Sequence, residues 1–246
     1  MPDVVVLALA ASATAVATGL GAIPVFFLGD RARQLTPLLL GFAAGAMGVA
    51  AIAGLLIPAA EEGSVVDLLL GLAAGAALVG VARGRLDPNR SFMGRGGPGA
   101  RTSALVFLVL FAHSLPEGFA IGTAFASDRS GLSLFVILAI ALQNVPEGTS
   151  VAIPMAAAGY SRSRQFWAAV GTSLPQPVGA LVAFLLVEGV GALLPFSFAF
   201  AAGAMLVLIA VELLPDAFAD RHRLGPGAGI VLGAAIMLAL SFALGV

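Results

Sequence analysis

The chain has 246 residues, 60% of them hydrophobic and 10% charged, with a mean hydropathy of +1.06, which excludes an ordinary water-soluble domain. It contains 0 cysteines, so a disulfide framework and a thiolate metal site are excluded as well. The net charge of -1 is close to balance, and the distribution of the charges along the chain is more informative than their sum.

Apolar runs long enough to cross about 30 Å of hydrocarbon recur along the chain. They predict eight spanning helices at about 4–28, 35–58, 65–82, 102–126, 131–157, 166–188, 193–216 and 225–245. No alternating strands of a β-barrel are visible. The fold class is therefore all-α, an integral membrane bundle of eight transmembrane helices, and residues 1–246 form a single transmembrane domain. Its 31 glycines and 14 prolines suit such a bundle, where small residues allow close helix contact and proline kinks are tolerated. Met1-Pro2-Asp3 has no positive region and the apolar run after it is too long for a secretory signal, so the first run is read as a span. Between the third and fourth spans, an Arg/Gly-rich stretch at about 83–101 carries Gly94, Gly96, Gly97 and Pro98 and predicts a mobile loop.

With the first residue outside, Arg31, Arg33, Arg83, Arg85, Arg90, Arg95, Arg101, Arg162, Arg164, Arg221 and Arg223 all fall inside, and Arg129 alone falls outside. The positive-inside rule makes that basic side the cytoplasm, with both termini outside. Basic residues are arginine throughout, which points to a GC-rich prokaryotic genome and to the inner membrane of a prokaryote.

Phe42-Ala43-Ala44-Gly45-Ala46-Met47 in the second span returns as Phe200-Ala201-Ala202-Gly203-Ala204-Met205 in the seventh, each followed by a proline, Pro58 or Pro215. The two spans run in opposite directions, which is the signature of an inverted transporter repeat; chance similarity of two Ala/Gly-rich helices is the alternative. The repeat relates spans one to three with spans six to eight and leaves the fourth and fifth as a central pair.

That pair is the most polar part of the membrane region. The fourth span contains His113-Ser114-Leu115-Pro116-Glu117-Gly118 and the fifth Gln143-Asn144-Val145-Pro146-Glu147-Gly148. Ionisable residues deep in a bilayer are costly unless paired or solvated, so each is a functional candidate. His113 and Glu117 are four residues apart, as are Gln143 and Glu147, so each pair shares a helix face. Pro116 and Pro146 leave the carbonyls of Ala112 and Leu142 without their helical donors, and Gly118 and Gly148 lead us to expect a close approach of the two helices. Two carboxylates plus neutral His113 and Gln143 match a divalent cation, with imidazole favouring zinc, iron, cobalt, nickel or manganese over calcium or magnesium. The competing reading is a set of hydrogen bonds across a helix interface.

The two Pro-Glu-Gly segments make the chain resemble the ZIP (Zrt/Irt-like) family of divalent metal transporters over essentially all eight spans. The resemblance implies a three-two-three arrangement with inverted outer repeats, termini outside, and uptake of a metal ion held between the fourth and fifth helices. It assigns His113, Glu117, Gln143 and Glu147 as primary ligands, and Met47 as a further soft ligand or a packing residue. Three departures stand out: Gln143 replaces the usual His, Ser114 the usual Asn, and Gln176, in Leu174-Pro175-Gln176-Pro177-Val178-Gly179, the usual Glu. A second metal would have to use Ser114, Asn144 and Gln176, all uncharged, so one tight ion is expected. The metal, zinc foremost with iron or manganese as alternatives, is substrate, and no prosthetic group is expected.

Glu212 and Asp216 read either as an exit relay or as residues snorkelling to the interface. Glu61, Glu62 and Asp67 read either as an outer cation-concentrating cluster or as a solvated loop, and His222 as a loop residue. An intramembrane metalloenzyme lacks the second histidine of His-Glu-x-x-His, so no enzyme is expected; a metal-gated cation channel is the other rival. Beyond the metal ion and the lipid bilayer, small-residue surfaces allow a homodimer, and no nucleic-acid partner is expected.

Overall fold

The computed structural model describes residues 2–84, 98–127, 129, 131–219 and 224–246. Among them every regular element is helical. Eight helical stretches are long and apolar enough to cross a membrane: Asp3–Leu28, Arg31–Glu62, Val65–Gly84, Ser103–Ala126, Leu132–Ala157, Arg162–Gly189, Gly191–Ala217 and Gly225–Leu244. These match the predicted spans in number and order. The expected loop at 83–101 is shorter than its predicted bounds. Arg83 and Gly84 end the third-span helix and Pro98–Arg101 begin the fourth; 85–97 lies outside the described residues, as does His222.

The spans pair in a regular way. The second packs along the eighth, the third along the seventh, the first along the fifth and the fourth along the sixth, while the fourth and fifth also pack on each other. Exchanging first with sixth, second with seventh, third with eighth and fourth with fifth leaves this set of neighbours unchanged. Glycine contacts show the same exchange at residue level. A Cβ at Gly45 would lie 2.1 Å from the carbonyl oxygen of Ile230, and one at Gly203, 158 residues later, 2.4 Å from that of Leu72, 158 residues before Ile230. Only a residue without a side chain permits so close a backbone approach.

The two spans that carry the repeated hexapeptide also share a local irregularity. Ile52–Leu56 and Ile209–Leu213 are single π-helical turns, closed by Ile57 N–H to Ile52 O and by Leu214 N–H to Ile209 O. Each lies just before a proline, Pro58 or Pro215, whose missing N–H removes one rung of the α-helical ladder. The fourth and fifth helices instead run unbroken through Pro116 and Pro146. The first and sixth spans break, at Gly21-Ala22 and at Ser173-Leu174, and meet near those breaks through a 2.6 Å hydrogen bond between Thr18 Oγ1 and Ser173 Oγ.

The half of the bundle away from the basic loops is filled. Leu55, Ile121, Ala124, Phe135, Val136, Ile140 and Phe198 are all buried in one apolar core. Long side chains such as Phe27, Val65, Val231 and Phe242 stay exposed on the outside, as expected where lipid is the solvent.

Candidate metal centre

Where the fourth, fifth and sixth spans meet the first, the structure buries a polar cluster. His113, Ser114, Glu117, Gln143, Asn144, Glu147 and Gln176 are each no more than 1% exposed. The helical spacing does what the sequence predicts, with both Pro-Glu-Gly segments turned inward. Gln143 Nε2 donates to Glu117 Oε1 at 2.6 Å, and Gln176 Nε2 donates to Glu117 Oε2 at 2.7 Å. Two amide N–H groups thus occupy both oxygens of one carboxylate, the positions a cation would take.

The rest of the cluster is a closed amide network. Thr14 Oγ1 donates to Gln176 Oε1 at 2.7 Å, and Asn144 Nδ2 donates to the Thr14 carbonyl at 2.8 Å and to Gln176 Oε1 at 3.2 Å. Ser114 turns away and donates to the Leu110 carbonyl at 2.9 Å. Met47 is fully buried within the main apolar core. Thr14 and Thr18 are partners that the sequence reading missed; two threonines four residues apart in an apolar first span were the available signal.

Eight buried side-chain nitrogens and oxygens among the described residues lack a hydrogen-bond partner, and five of them are His113 Nδ1 and Nε2, Gln143 Oε1, Glu147 Oε1 and Glu212 Oε2. Buried polar atoms are seldom left unpaired, so a group of them marks a candidate binding place. His113 Nδ1 lies 2.9 Å from Glu212 Oε2, but the pair is out of line for a hydrogen bond. No three His, Asp or Glu side chains among the described residues are grouped closely enough to hold a metal ion as they stand.

A cavity of about 900 Å³ leads away from this cluster. His113, Glu147 and Glu212 stand at its head, and Thr36, Ser150 and Asp216 line its walls. It runs to Arg33, Ala157 and Ala219 at the ends that carry the basic residues. Glu212 and Asp216 are therefore on the path from the cluster, with Glu212 only 9% exposed.

Two expectations are corrected. Gly118 and Gly148 do not bring the fourth and fifth helices together. A Cβ at Gly118 would lie 2.1 Å from the Gln176 carbonyl oxygen and one at Gly148 1.7 Å from that of Thr18, so these glycines admit the sixth and first spans. The reason is helical geometry: the glycine follows the glutamate by one position, about 100° around the helix, and so faces a different neighbour. The outer acidic cluster is also not free. Arg129 pairs with Glu61 at 2.8 Å and with Glu62 through Nε, which raises the arginine's pKa, first through the hydrogen bond to Glu62. Asp67 accepts from the Ser64 N–H and hydroxyl at the start of the third-span helix.

Eight helices long and apolar enough to cross a membrane, around a buried carboxylate and amide cluster with a cavity reaching one face, describe a polytopic membrane protein, and the comparisons with known proteins make it a metal-ion transporter. The chain belongs to the ZIP zinc transporter family, whose model matches residues 95–241. It is 32% identical over 241 residues to the zinc transporter GufA of Myxococcus xanthus, covering 93% of this chain and 95% of that one, and 33% identical over 241 residues to the zinc transporter ZIPB of Bordetella bronchiseptica, covering 93% and 78%. A putative zinc transporter of Arabidopsis thaliana is 36% identical over 238 residues, which is 96% of this chain but 38% of the plant protein.

Proposed function

We propose that the chain carries a divalent transition-metal ion, zinc foremost and iron or manganese as further substrates, into the cytoplasm across the inner membrane of a prokaryote. The observation that carries this reading is the group of unpartnered buried atoms on His113, Glu147 and Glu212 at the head of a cavity, with a further unpartnered oxygen on Gln143. The ion sheds water onto Glu117 and Glu147, whose two charges neutralise it. Gln143 exchanges its N–H contact with Glu117 for an Oε1 contact with the ion, and His113 supplies a ring nitrogen. Asn144 and Gln176 hold Glu117 and the first span in place rather than a second ion, because the amide network already uses their polar atoms, while Ser114 is turned to the Leu110 carbonyl.

Alternating access follows from the inverted repeat, with spans one to three and six to eight moving against the central pair in a three-two-three bundle. The shared glycine register and paired π-turns support this arrangement. Both termini then lie outside, since the cavity opens toward the basic residues.

Zinc flux into liposomes, with protein inserted in known orientation, tests the reading. Saturable flux that is lost in Glu117→Gln and Glu147→Gln is expected. Flux that survives both substitutions, or that rises linearly with concentration as through a pore, overturns it.

A further inference from the structure

An ion leaving Glu117 and Glu147 toward the basic face meets Glu212 and then Asp216 along the cavity. A row of carboxylates in a low-dielectric path attracts a dication at each stop and slows its release. A cation stands directly against Glu212. Arg83, in the last turn of the third-span helix, places Nη1 3.3 Å from Glu212 Oε1 and 2.6 Å from the Val211 carbonyl oxygen. That carbonyl is available because Pro215, four residues later, has no N–H to donate to it. The other oxygen of Glu212 faces His113 at 2.9 Å, so one carboxylate touches both a candidate ion ligand and the arginine. Arg83 also lines a second, mostly apolar crevice of about 570 Å³ together with Leu78, Pro116, Val178 and Leu208, which meets the first cavity at His113 and Glu212. Its side chain is 46% exposed and has room to swing aside.

We propose that Arg83 is a tethered competitor for Glu212. The guanidinium yields the carboxylate when an ion arrives from His113 and retakes it afterwards, so that Glu212 hands the ion on and does not retain it. This inference rests on the metal-carrier reading and adds to it a third-span residue that sets the rate of release.

The test counts zinc retained by purified protein after dialysis and measures its release rate. Arg83→Gln is expected to retain about one further zinc and to release it about tenfold more slowly. Adding Glu212→Gln to that variant is expected to remove the extra ion. Because the chain has 0 cysteines, Arg83→Cys gives a unique thiol that can be labelled after purification, which separates the effect from folding. A cationic aminoethyl label should restore the wild-type count and a neutral methyl label should not. Equal retention with the two labels, or an extra ion that persists without Glu212, overturns the proposal. The first zinc is scored separately in Glu117→Gln/Glu147→Gln; its survival there would sink the carrier reading, whereas the Arg83 result is a difference between variants.

Discussion

Gln143 Nε2 and Glu117 Oε1 meet at 2.6 Å across the interface of the fourth and fifth helices, with the amide nitrogen where a cation would sit. A neutral donor such as this amide binds the carboxylate less strongly than a charged one and is easier to displace. Replacing that donor by a ring nitrogen should retune the site. Gln143→His is expected to raise the preference for zinc over manganese by about tenfold, since imidazole suits zinc better than a carboxamide does. Competitive uptake of the two ions measures it, and an unchanged ratio would show that residue 143 does not face the ion.

Gln176→Glu should convert a one-ion site into a two-ion site. The present amide donates to Glu117 Oε2 at 2.7 Å; a carboxylate there would repel Glu117 until a second dication bridged them. Elemental analysis should find two ions per chain instead of one, and thermal stability should become strongly metal-dependent. Two ions in the unsubstituted protein would refute the single-ion reading.

Gly118→Ala and Gly148→Ala should each destabilise the bundle by about 1–3 kcal/mol or more, because the added methyl meets a backbone carbonyl that cannot step aside. The gaps of 2.1 Å and 1.7 Å leave no room. Thermal unfolding in detergent reads the loss, and Gly80→Ala, with nothing near it, serves as the neutral comparison.

Arg129→Ala should change stability by less than about 1 kcal/mol, the usual worth of exposed ion pairs. It would release Glu61 and Glu62 from their shared partner. The apparent KM for the ion is expected to fall at low ionic strength and to return to the wild-type value in high salt, where such fields are screened. A KM insensitive to both charge and salt would remove these residues from the entry path.

The eight spans were legible because hydropathy in a membrane is a direct physical requirement, and the central pair because carboxylates are rare there. Other features depend on partners distant in the chain, which a local pattern does not show. Gly118 and Gly148 announced close approach, but the identity of the approaching helix came only with the fold. Glu61 and Glu62 resembled a cation trap until Arg129 was found between them. Arg83 was read as one more loop arginine, although Val211, four residues before Pro215, already signalled a carbonyl in need of a donor.

The constant offset of 158 residues between equivalent glycine contacts bears on how such a molecule resets itself. In the alternating-access mechanism proposed above, two copies of one packing scheme, turned over relative to each other, would present nearly equivalent seams to the two sides of the bilayer. Closing one seam while opening the other trades like for like, so the free-energy difference between the two postures is small by construction. A bound ion worth only a few kcal/mol is then sufficient to tip the balance.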